Sequence, residues 1–164
     1  MVLTDNFGFL LSAFFPINGT VSPDLKQGMI DITGTPQEIN IKGSTSNNTL
    51  FERTMAGNFV QIGKGSTLPT KQDFNIENPF TNGGVEDNMQ PTGIGGFVFL
   101  DPRILYTTQI NPTAGTGGIR EVCYFLNLVN SSAVTKTFLM WRDVIPLVSF
   151  IAGQSITIDN EVTI

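Results

Sequence analysis

The chain has 164 residues, a formal charge of −5, 14% charged residues and no histidine. A chain of this length builds one domain that buries about 70% of its unfolded surface. Its scattered lysines and arginines argue against a nucleic-acid-binding face, which needs them clustered. The missing histidine removes Ser-His-Asp and Cys-His mechanisms and imidazole-based zinc sites.

Met1 to Phe15 carries an apolar run but lacks the basic start and small-residue cleavage pattern of a secretory signal. No run approaches the roughly 20 apolar residues of a membrane span. Thr4 or Asp5 can cap a short helix in which Phe7, Leu10, Leu11 and Phe14 form one stripe, with Phe9 and Phe15 beside it. Gly8 weakens that helix by about 1 kcal/mol relative to Ala. The stripe either covers one end of a sheet or docks on a neighbouring subunit. The second reading makes Phe7, Leu10, Leu11, Phe14 and Phe15 candidate intersubunit contacts.

Pro16 to Gly28 reads as a loop. Ile30, Ile32, Ile39 and Ile41 then alternate around Thr33-Gly34-Thr35-Pro36 as a hairpin. Gly43 to Asn48 is a polar turn, Leu50 to Met55 a weak strand and Asn58 to Gly63 a better one. Beyond Gly63 the glycines and Pro69 break the ladder, and Thr70 with Asp73 resembles a capping box opening a single helical turn. Asn78 to Gly96 is a long polar loop.

Phe97–Leu100, Ile104–Ile110, Ile119–Val129, Val134–Val144, Leu147–Ile151 and Ser155–Ile164 are β-branched or aromatic runs separated by turn signals. In the last, Ile156, Ile158, Val162 and Ile164 share a face. The pattern predicts an all-β protein, an antiparallel β-sandwich with a short N-terminal helix. It forms a single domain over 1–164, with residues 1–28 as helix and arm.

Arg120 and Glu121 sit together in an apolar strand, and strand alternation sends them to opposite faces, so each needs another partner. That partner lies in the same chain, as a structural pin, or in a neighbour, so both are candidate intersubunit contacts. Cys123 is unpaired within the chain and reads as a small core residue. Asp73, Glu77, Glu86 and Asp87 are the available carboxylate pairs, but their turn and loop settings favour capping and solvation over catalysis. The glycine runs at 63–65 and 93–96 lack phosphate-loop spacing, and the acidic loop lacks calcium-loop spacing. No cofactor or metal is expected.

Taken in order, Gly63-x-Gly65, Pro69, Asp73, Ile76-Glu77-Asn78, Gly118-Ile119-Arg120-Glu121-Val122, Phe125 and Gly153-Gln154-Ser155-Ile156-Thr157-Ile158 resemble a domain of tailed-phage virion proteins. That domain is similar to the amino-terminal attachment module of tail-collar fibres. The resemblance spans residues 57–164 and rests on order and spacing. Cys123-Tyr124 and the long 78–96 segment depart from it, and with Ile164 as the last residue no shaft or receptor-binding tip is expected.

The resemblance implies a non-enzymatic structural protein of the virion, assembled in the host cytoplasm, that binds other virion proteins and homo-oligomerises. It implies no nucleic-acid or membrane partner. Its place is the tail, baseplate or collar as an adaptor, or else the capsid as a decoration (cement) protein. Two other classes compete. One is a carbohydrate-binding module stacking sugars on Trp141, Tyr106 and Tyr124. The other is a glycan-cleaving enzyme built on paired carboxylates.

Overall fold

The computed structural model describes residues 1–14, 24–42, 55–80, 91–94, 98–100, 103–110 and 116–163. Within them the chain is all-β with one short helix. The elements are β1 (Val2–Leu3), α1 (Asp5–Phe14), β2 (Asp24–Ile30), β3 (Pro36–Lys42), β4 (Met55–Gly63) and β5 (Pro91–Ile94). They continue with β6 (Val98–Leu100), β7 (Arg103–Ile110), β8 (Thr116–Val129), β9 (Thr135–Ile151) and β10 (Ile156–Thr163).

The strands form a sheet in the order β1-β9-β8-β4, a second in the order β10-β7-β5 with β6 also on β7, and a β2-β3 ribbon. All pairings are antiparallel. The first sheet carries apolar side chains on both faces. On one face Val60, Ile62, Val122, Tyr124, Leu126, Phe138, Met140 and Trp141 pack with Leu10, Met29, Ile39, Phe80, Ile156 and Ile158. On the other, Cys123, Phe125, Leu139 and the neighbouring Phe59 of β4 lie beneath Ile76 and Ile32. Cross-strand rings tie the ladder: Phe59 stacks on Phe125 at 5.0 Å and Tyr124 on Trp141 at 6.0 Å.

The expected helix and the hairpin around residues 33–36 are present, and the helix starts where the cap was placed. Thr4 caps with its carbonyl, which accepts from Phe7 and Gly8. Its hydroxyl donates instead to the carbonyls of Leu139 and Met140 and ties the helix to β9. Asn6 completes the attachment. Its side chain imitates a strand backbone, donating to Ile30 O at 2.7 Å and accepting from Ile30 N at 2.8 Å.

Four expectations need correction. Residues 24–28, read as the end of a loop, lie in strand β2 and pair with residues 38–42 of β3. Val134–Val144 and Leu147–Ile151 are one strand, β9, which carries Pro146 through a register shift opposite Arg120. Proline lacks an N–H and is tolerated in a strand at such irregular places. Thr70 and Asp73 do not open a helical turn. The Asp73 carboxylate accepts from the Thr70 amide and hydroxyl at 3.0 and 2.7 Å, and the backbone closes as an isolated turn. Pro91–Ile94, assigned to the polar loop, is strand β5 against β7. The turn at 43–48, the strand at 50–54 and the loop at 81–90 lie outside the described residues.

Candidate functional site, a buried guanidinium held by three carboxylates

Arg142 lies in the middle of β9 with 4% of its side chain exposed. Apolar neighbours before and after it make β9 a core strand, so its charge must be paired to be buried. Nε donates to Glu121 Oε1 at 2.6 Å, Nη1 to Asp73 Oδ2 at 2.8 Å and Nη2 to Glu77 Oε2 at 2.9 Å. Glu121 comes from the adjacent strand β8, where Cys123 is opposite Arg142, so the pair is diagonal across the ladder. Asp73 and Glu77 come from the segment that follows β4.

Glu121 is fully buried. Besides Arg142 it accepts the backbone N–H groups of Glu77 at 2.8 Å, Gly65 at 3.2 Å and Asn78 at 3.2 Å. Four donors fill the acceptor capacity of one carboxylate. This packing explains the Gly63-x-Gly65 spacing. A Cβ on Gly63 would sit 2.5 Å from Asn78 O and 2.7 Å from Glu121 Oε2, and one on Gly65 2.7 Å from Glu77 Oε2.

Burial opposes the charge on Arg142, but the Glu121 and Asp73 carboxylates outweigh it and hold the guanidinium protonated beyond its ordinary range. Burial likewise pushes the Asp73 carboxyl up, yet the Thr70 amide and hydroxyl and Arg142 leave it below the usual carboxylate range. The Thr67 hydroxyl and amide, with Arg142, lower Glu77. Cys123 is a buried thiol 4.0 Å from Glu121 Oε1. Burial, then the Glu121 charge, raise its pKa well above normal, so it is a poor nucleophile.

Beside Arg142 opens a shallow cleft of about 360 Å³ walled by Thr67, Thr70, Asp73, Phe74 and Glu77. Among the described residues no group of histidine, cysteine and acidic side chains is placed to hold a metal ion. No helix among them is long and apolar enough to cross a membrane.

The residues singled out in the sequence fall in different places. Of the two readings of Glu121 the intrachain pin holds and the intersubunit contact is corrected, because full burial and the donors of its own chain leave it no surface for a neighbour. Leu10 is corrected likewise, being buried in the core, and Phe7 is partly buried against it. Arg120 is exposed and makes no ion pair among the described residues. Simple alternation also fails beside it: Ile119 and Val122 both enter the same core across the register shift.

The side chains of Leu11, Phe14 and Phe15 lie outside the described residues, as do Glu86, Asp87 and the Tyr106 side chain. Tyr124 and Trp141 are buried and stacked on each other, not offered to a sugar. Arg142 was missed by the sequence reading. Its signal was the same as that of Glu121, a charge inside an apolar strand, here in Met140-Trp141-Arg142-Asp143-Val144.

Comparison with protein-family models, curated proteins and solved structures gives no match.

Proposed function

We propose that this chain is a non-enzymatic structural subunit of a tailed-phage virion, an assembly or adaptor protein of the tail, baseplate or collar that binds other virion proteins. One observation carries the reading. Gly63, Gly65, Asp73, Glu77 and Glu121, which carry much of the resemblance to the virion module, meet in one cluster in which the carboxylates hold Arg142 and the glycines make room for Glu121. Among the described residues, the carboxylates of Asp73, Glu77 and Glu121 are bound to Arg142, as a building block requires.

The two larger sheets are read as the layers of a sandwich, with Ile156 and Ile158 reaching into the core of the first sheet. Exposed apolar side chains, Leu147 and Ile151 on β9 and Leu68 beyond β4, supply surface for neighbouring copies or other virion proteins.

The test is mass spectrometry of gradient-purified particles, followed by labelling with an antibody to the chain. Stoichiometric recovery with label at the tail supports the adaptor. Label spread over the shell makes it a decoration protein. Absence from the particles removes the reading.

A further inference from the structure

The segment from Lys64 to Asn78 leaves the end of β4 and returns to it. The Lys64 N–H donates to Asn78 O at 2.8 Å, and Gly63 and Pro79 form a bridge. Closed ends around a compact surface excursion make it an Ω-loop.

Its neck and its body are held differently. At the neck the amides of Gly65, Glu77 and Asn78 donate to buried Glu121, and Ile76 is buried against Cys123, Phe125 and Leu139. The body, Ser66 to Asn75, is exposed except for the partly buried Pro69 and Asp73. Leu68 is 78% and Phe74 41% exposed. The body is tied down by Asp73 on Arg142, by Thr67 on Glu77, by the Asp5 amide on Lys71 O and by the Phe74 ring beside Gly34. A segment with polar ties and little buried apolar surface opens far more often than the core.

We propose that the body of this loop opens as a unit from a closed neck while the sheets stay folded, with the Asp73–Arg142 and Glu77–Thr67 contacts as its latch. The charged groups in contact at the latch are Arg142 on β9 and Glu121 on β8, with Asp73 and Glu77 of the loop; Lys71 and Asp5 meet there through their backbones, Lys64 lies over the Phe80 ring and Asp143 pairs with the Met1 amino group. The Asp73 and Glu77 side chains are 22% and 40% exposed, so salt screens their hold on Arg142, and acid neutralises it. Opening removes one wall of the cleft and turns an edge of the guanidinium to solvent.

The experiment is amide hydrogen exchange by NMR on the full chain, with and without Asp73→Asn. Thr67 is the reporter for the body, because its amide is bonded to Glu77 and not to Asp73. Glu77 and Asn78 report on the neck, and Phe80, bonded to Ile62 O, on the sheet.

Asp73→Asn is expected to speed exchange at Thr67 roughly tenfold and leave the other reporters unchanged. Added salt should move Thr67 of the unmodified chain in the same direction, a comparison that stands even where the variant folds poorly. Unchanged exchange at Thr67 in both arms overturns the proposal. So does equal acceleration at Glu77, Asn78 and Phe80, which would make the opening global.

Discussion

Glu121 Oε1 and Arg142 Nε lie 2.6 Å apart across neighbouring strands, with 0% and 4% of their side chains exposed. A pair this dry is maintained only if every remaining donor and acceptor is also matched. Here the match comes from outside the sheet, through the Asp73 and Glu77 side chains and the three backbone amides of the 64–78 loop. The pair therefore joins loop to sheet as much as strand to strand, and several consequences can be measured.

Two glycines should respond to Ala in opposite senses. In Gly65→Ala the new Cβ meets Glu77 Oε2 at 2.7 Å with the Glu121 carboxylate also in its way, and the loss should be about 1–3 kcal/mol. In Gly8→Ala nothing lies within 4 Å, and the helix should gain about 1 kcal/mol. Denaturant unfolding of the two variants checks the signs.

Acid should destabilise the fold through the lowered carboxyls. The carboxyls of Asp73, Asp31 and Glu77 are all held below their ordinary range in the folded chain. At Asp31 burial pushes up, but the Thr33 hydroxyl and the Thr35 and Thr33 amides prevail. Each group binds protons more readily unfolded than folded. Its stabilising contribution is thus complete above the unfolded value and is lost as pH falls through the folded one. Stability measured from pH 7 downward should hold until about pH 5 and then fall. Asp73→Asn should flatten part of that fall.

Asn6→Ala should undock the β2–β3 ribbon from the helix. It removes both bonds to Ile30 and the 3.2 Å contact with Leu139 O, leaving buried backbone groups unmatched at a cost of about 1–3 kcal/mol. Lost amide protection at Ile30, exceeding that at Phe80, is the expected signature.

Cys123 should resist thiol reagents in the folded chain. It is 0% exposed with a raised pKa, so modification has to wait for unfolding. Labelling followed by mass spectrometry, with and without denaturant, tests this. Rapid stoichiometric labelling of native protein would contradict the placement.

The strands were legible because β-branched and aromatic runs alternate between turn residues, and the helix because Phe7 and Leu10 repeat at its period. The runs Val134–Val144 and Leu147–Ile151 read as two strands, but they are one, because the register shift gives Pro146 between them a place without a ladder partner. The site was half legible. Glu121 stood out as a charge among apolar residues, and its burial is the outcome that alternation allowed. Its link to Arg142, Asp73 and Glu77 depends on how β8 and β9 register and on how the loop folds back, and neither is encoded locally. The glycine spacing at 63 and 65 looked like turn chemistry. Its cause is a carboxylate contributed from far along the chain.

The claim on which the account rests is that this charged cluster fastens the structure. The most direct measurement is the unfolding free energy of Glu121→Gln, which removes the charge with little change of shape. The account predicts a loss of about 3–5 kcal/mol, as for a broken buried ion pair. A variant within about 0.5 kcal/mol of the unmodified chain, the ordinary range for surface substitutions, would contradict it.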